Sequence, residues 1–154
     1  MTDAPASPAP SPREVIVFQV GSQEFCVDIL AVRELRGWTR PTPLPRSPGY
    51  VLGVINLRGT VLPVVDMSAR LGLGSGETGG RQVIIVVFLG RQLVGLLVDS
   101  VCEILAVEDA QVRPTPDVSG QGLEGFVESL MVVQERLVGV LTLERLLPEL
   151  AEAA

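Results

Sequence analysis

Histidine and lysine are both absent from this 154-residue chain, whose 12 basic side chains are all arginine. The two absences remove the commonest general base, the commonest metal ligand and the commonest catalytic amine. Schiff-base chemistry and a Walker-type phosphate lysine go with them. Cysteine is scarce too: Cys26 and Cys102 are the only thiols, and they form no Cys-x-x-Cys pair. A zinc site therefore lacks ligands, and two reduced residues in core or half-buried places are expected rather than a disulfide. With so few aromatics, the core must be built from Val, Leu and Ile. The longest apolar run, VIIVVFL at 83–89, falls far short of the ~20 residues that span a bilayer. The opening MTDAPASPAPSP has neither the charged n-region nor the apolar h-region of a secretory signal. It reads as a disordered Ala/Pro tail over residues 1–13, and a cytoplasmic address is expected. Positive charge is also in deficit, with 18 acidic against 12 basic side chains and a net charge of -6. That balance repels nucleic-acid phosphates and anionic membrane surfaces.

What is present is a globular domain. Hydrophobic residues make up 47% of the chain and charged ones 19%, and a chain of this length buries roughly 70% of its unfolded surface. It also repeats itself. REVIVFQVGSQEFCVDILAVREL from Arg13 and RQVIIVVFLGRQLVGLLVDSVCEIL from Arg81 share a plan: a β-rich run, a Gly-X turn, a second run, then V-x-E-[LI]. A second echo links GVINLRGTVLPVVDMSARL from Gly53 to GFVESLMVVQERLVGVLTLERLL from Gly125, with four extra residues in the later copy. Two similar halves are the simplest reading, approximately 14–72 and 81–148, joined by the Gly-rich stretch 72–80. Together they form one domain over 14–150, with exchange of strands between the halves left open.

Gly21-Ser22 and Gly90-Arg91 suit type II′ hairpin turns, whose first residue needs positive φ. From Glu24 to Ile29 the pattern alternates, so that Phe25, Val27 and Ile29 face in while Glu24, Cys26 and Asp28 face out. VIIVVFL does not alternate and should be covered on both faces. Helical signals are short: Ser47-Pro48 as an N-cap with Pro in first position, Asp66 as the cap of MSARL, and a last helix from near Leu143 to Pro148.

The carboxylates are the only raw material for catalysis. Asp66 lacks the Thr/Ser-Gly sequel of an aspartic protease, and Asp28 and Asp99 have no neighbours that would set an acid and a base apart. Capping or solvated carboxylates are the better reading, and no enzyme is expected. In INLRGTV, Gly59 supplies a positive φ and Asn56 closes the turn. Arg58 is then either a solvated tip or a binding anchor, since its fork pairs with carboxylates while its stem packs on apolar surface. Composition does not choose between these.

The run YVLGVINLRGTVLPVVDMSARLGL resembles the central motif of the CheW-like coupling proteins of bacterial chemotaxis, with G-x-x-N-L-R-G followed by V-x-P-V-x-D. FQVGSQEFCVDILAVREL looks like the opening strands and V-x-E-[IL] segment of that family. LVGLLVDSVCEIL and VRPTP are similar to its second half, so the resemblance covers residues 14 to about 148. It implies an all-β fold of two packed five-stranded SH3-like β-barrels with short helices, including a C-terminal one. It also implies a cytoplasmic adaptor, without cofactor or metal, that links the hairpin tip of a chemoreceptor at the inner membrane to the regulatory domain of a histidine kinase. Carried over residue by residue, Asn56, Leu57, Arg58 and Gly59 fall in the segment tied to coupling. Val32 and Glu34 fall in another segment linked to partner binding, and Gly53 allows close backbone approach in the same region. The Pro-rich TRPTPLPRSPGY departs from the commonest family pattern. It leaves open a non-flagellar pathway such as twitching motility, and a generic β-barrel binding module remains the alternative of another class.

Overall fold

The computed structural model describes residues 13–73, 80–108, 111–114, 127–148 and 150, so most of the expected tail and the centre of the Gly-rich connection lie outside the described residues. The first half contributes β1 (Arg13–Val20), β2 (Gln23–Asp28), β3 (Val32–Gly37), β4 (Val51–Leu57), β5 (Thr60–Asp66) and α1 (Met67–Arg70). The second contributes β6 (Val83–Leu89), β7 (Gln92–Val98), β8 (Ser100–Val107), β9 (Val112–Pro114), β10 (Val127–Val133), β11 (Arg136–Leu141) and α2 (Leu143–Leu146).

Turn chemistry fixes the hairpins. Gly21 (φ 62°) and Gly90 (φ 64°) are left-handed while the residues after them are not, and each two-residue loop joins directly paired strands. That is the type II′ arrangement expected from the sequence. Arg58-Gly59 (50°, 91°) and Gln134-Glu135 (47°, 69°) instead have both φ values positive, the type I′ signature. The second of these has no glycine to announce it.

The strands form a six-stranded sheet, β8-β1-β2-β11-β10-β9, and a five-stranded sheet, β3-β6-β7-β5-β4. Each sheet takes its first hairpin from one half of the chain and the rest from the other. The hairpin β1-β2 pairs with β8 and, in parallel, with β11. The hairpin β6-β7 pairs with β3 and, in parallel, with β5. Arg70 Nε donates to Leu146 O (2.6 Å), tying α1 to α2 across the junction.

The two expected SH3-like barrels are corrected to two open sheets: among the described residues no ladder joins β3 to β4, or β8 to β9 or β10. The reason lies in what already occupies the outer edges. Thr42 exchanges both backbone bonds with Val54 of β4 (2.8 Å each), and β9 lies along β10. Part of each edge is therefore already occupied, at Val54 of β4 and along β10, by short proline-bearing segments. The tetrapeptide Arg-Pro-Thr-Pro occurs twice in the sequence, at 40–43 and 113–116.

Alternation along the central strands feeds three cores. Ile16, Phe18 and Val20 of β1, Phe25 and Val27 of β2, and Ile85, Val87 and Leu89 of β6 meet between the sheets. Val15, Val17, Cys26, Met131 and Val138 fill the inside of the six-stranded sheet. Ile55, Leu57, Leu62, Ile84 and Val86 fill the inside of the five-stranded one. VIIVVFL is accordingly covered on both faces along most of its length. Cys26, expected to face out, is fully buried because β2 is also central. Cys102, expected in the core or half-buried, is exposed on edge strand β8. No helix starts at Ser47-Pro48. Ser47 Oγ donates to Leu44 O and Val51 N to Pro48 O, a turn, because Val51 already belongs to β4 opposite Val65.

Candidate functional site

The V-x-E segment owes its chemistry to a β-bulge. Two residues apart on a regular strand, Val32 and Glu34 would share a face. In β3, however, Val32 pairs with Val87 and Glu34 with the next residue back, Val86, leaving Arg33 as the extra residue. Val87 faces the core between the sheets and Val86 the inside of the five-stranded sheet. Val32 therefore packs against the inter-sheet core while Glu34 turns to the mouth of the five-stranded sheet.

Arg58 meets Glu34 there. It sits in the β4-β5 turn with its backbone held left-handed, and the turn is locked by Gly59 N donating to Asn56 Oδ1 (2.8 Å). Arg58 Nη2 donates to Glu34 Oε1, and its Nη1 lies 3.5 Å from Oε2. Arg36 Nη1 adds a contact at 3.6 Å. In a flat sheet β3 and β4 would stand roughly 19 Å apart, so this pair spans the gap only because the sheet curls. The hydrogen bond from Arg58, with Arg36 in support, holds the Glu34 carboxyl below its usual range, and Glu34 in turn raises the Arg58 guanidinium. Leu35 of β3 and Val61 of β5 are exposed too, but Leu35 pairs with Ile85 and so faces away from Glu34, and sequence reasoning passed over both. A lone aliphatic on an alternating strand gives no signal of its own.

The other expected residues fall into support. Leu57 is buried inside the five-stranded sheet, where it anchors the hairpin from below. Gly53 has a φ of 150°, and a Cβ there would stand 2.2 Å from Thr42 O. The glycine thus lets the Pro-rich segment lie on β4. Beside the tip, Thr39, Arg40, Thr42, Asn56 and Val61 line a shallow recess of about 260 Å³.

A separate groove of about 220 Å³ opens where the sheets meet. Val15, Val27, Phe88 and Leu143 form its apolar wall, and Arg13, Asp28 and Glu144 its rim. Arg58 and Glu34 do not line it. Leu30, in the 3-10 turn Ile29–Ala31 next to Asp28, is 86% exposed.

Three further carboxylates accept hydrogen bonds from the backbone. Asp28 accepts from Leu30 N, Asp99 from Gly21 N, and Asp66 from Ser68 N and Ala69 N. Burial raises the Asp66 carboxyl despite those two bonds, and burial pushes the Cys26 thiol up to about 12. Among the described residues no group of three His, Cys, Asp or Glu side chains is placed to hold a metal ion.

Comparison with known proteins agrees with this architecture. The CheW-like domain matches residues 14–151. The chain is 49% identical over 155 residues to the chemotaxis protein CheW of Rhizobium meliloti (strain 1021), with 100% of each chain covered. It is 48% identical over 137 residues to a probable chemotaxis protein CheW of Rhizobium etli, covering 89% of this chain and 88% of that one. The crystal structure of scaffolding protein TtCheW from Thermoanaerobacter tengcongensis aligns with a TM-score of 0.81 at 30% identity, over 88% of this chain and 92% of that chain. The chain with the Asn-Leu-Arg-Gly hairpin and its bulged Val-x-Glu strand belongs to the CheW-like domain family.

Proposed function

We propose that this chain is a non-catalytic chemotaxis adaptor that couples a chemoreceptor to a CheA-type histidine kinase, and that the Arg58–Glu34 mouth is a surface through which it does so. The observation that carries this reading is the cost of Arg58's position. An arginine is held left-handed at a hairpin tip, where glycine would serve the turn better, and its side chain stays 60% exposed while its guanidinium rests on Glu34. An exposed Arg fork of this kind is a common anchor of protein-docking surfaces. The groove between the sheets is the better candidate for a helical hairpin, because an apolar cleft with a polar rim accepts the i, i+3, i+4 stripe of a helix. Kinase and receptor then have separate places on one scaffold. No helix among the described residues is long and apolar enough to cross a membrane, and a receptor would bring the adaptor to the cytoplasmic face of the inner membrane.

The test is a reconstitution of the purified chain with the kinase and a receptor signalling fragment, reading autophosphorylation. Activity should rise only when all three are present, and Arg58→Ala should remove at least about nine-tenths of the rise, a loss of the order expected for an interface hot spot. A fully active Arg58→Ala would defeat the assignment of the site. Failure of the native chain to bind either partner would defeat the pathway.

A further inference from the structure

A second ion cluster sits at the mouth of the six-stranded sheet. Arg136, the first residue of β11, donates from Nη2 to Glu103 Oε2 on β8 (2.7 Å). Its Nη1 reaches Glu24 on β2, donating to Oε2 at 3.4 Å and standing 3.2 Å from Oε1 without hydrogen-bond alignment. Glu103 follows the same V-x-E bulge as Glu34: Val101 pairs with Phe18 and Glu103 with Val17, with Cys102 as the extra residue. Two strands, β1 and β2, separate β8 from β11, which in a flat sheet is roughly 14 Å. The guanidinium thus bridges a span that no backbone ladder closes.

Stability alone does not explain the cluster. Arg136 Nε and Glu24 Oε1 are buried with no hydrogen-bond partner, and the Arg136 and Glu103 side chains are 37% and 39% exposed, where ion pairs contribute little. The chain itself shows the apolar solution. At the place in β7 that matches Glu24 in β2, the five-stranded sheet has Leu93, packed on its own core.

We propose that Arg136 is an electrostatic latch that holds the free edge strand β8 curled toward the β10-β11 hairpin, with Glu103 as its catch and Glu24 as its seat. It is the counterpart of the Arg58–Glu34 pair on the other sheet, turned to shape rather than to docking. The inference does not depend on the coupling role.

Hydrogen exchange of the full chain, read peptide by peptide, tests it. Arg136→Gln should speed exchange across Ser100–Val107 about two- to fivefold while β6 and β7 stay as they are, as expected for losing a partly exposed ion pair that guards a local opening. Glu103→Gln should do the same, and the double variant no more than either alone. At ~1 M salt the native chain should move toward the variants, which themselves stay put. Unchanged β8 exchange in the folded Arg136→Gln chain, additive effects in the double variant, or a salt-insensitive native chain would each overturn the latch. If Arg136→Gln does not fold, Glu103→Gln, which leaves the guanidinium on Glu24, carries the same test.

Discussion

Arg58 sits in a backbone conformation that costs an L-residue roughly 1–2 kcal/mol, and Gly59 beside it does not. Arg58→Gly should therefore stabilise the chain by about 1 kcal/mol, a rise in Tm of roughly 2–4 °C, while abolishing kinase coupling. Thermal unfolding and the reconstituted kinase assay read the two effects on one sample. A variant that keeps coupling would show that the turn, and not the charge, is what partners use. Gly53 is the opposite case, because its missing Cβ is occupied by the backbone of Thr42. Gly53→Ala should cost about 3 kcal/mol or more in urea unfolding, since backbone rather than a flexible side chain would have to move. Glu34 adds a pH signature. Its carboxyl is held below the usual value by Arg58, so the pair's contribution is complete above the unfolded value and fades as pH falls through the lowered folded one.

At the scale of elements, Asp66 shows how one side chain ends a strand and starts a helix. It caps α1 while burial raises its carboxyl. A raised folded value means that the native state holds the proton more tightly than the unfolded state does. Asp66 therefore favours folding at low pH, and that contribution is lost as pH rises through the folded value. Asp66→Asn should keep the cap, remove that slope and leave stability at neutral pH equal or higher. Asp66→Ala should cost about 1 kcal/mol. Denaturant midpoints across pH check both. This cap was legible from sequence, as were the Gly21 and Gly90 turns, because each rests on one residue type with one local job. The bulges were visible only as a repeated V-x-E, whose meaning depends on which strand lies alongside. The Arg58–Glu34 pair was not legible as an ion pair: its members are 24 residues apart, one on β3 and one in the β4-β5 turn, and β3 never meets β4 or β5 through the backbone. Barrel closure failed for a related reason, since an edge covered by Thr42 or β9 looks the same in sequence as one left free to pair.

At the scale of the whole molecule, the repeat was readable but the exchange of hairpins was not, because Val- and Ile-rich strands carry no mark of the partner they choose. The exchange makes a strong prediction. Residues 1–73 and 80–154 expressed apart should each lack a cooperative unfolding transition, since each fragment lacks two central strands of one sheet and the remaining strands of the other. Mixed or co-expressed, they should recover the native spectrum. Independent folding of either fragment, seen by circular dichroism, would contradict the interlocked arrangement. The pairing of Arg13 with Val107 and of Glu24 with Val138 has a further consequence for synthesis. A ribosome would have released β1 and β2 long before the strands that flank them exist. These two apolar hairpin strands must wait until the last hairpin, β10-β11, clears the exit tunnel. Low contact order, the usual route to fast folding, is closed to this topology. The growing chain therefore passes through a long interval in which β1 and β2 have only each other to pair with and both outer edges of their hairpin are bare.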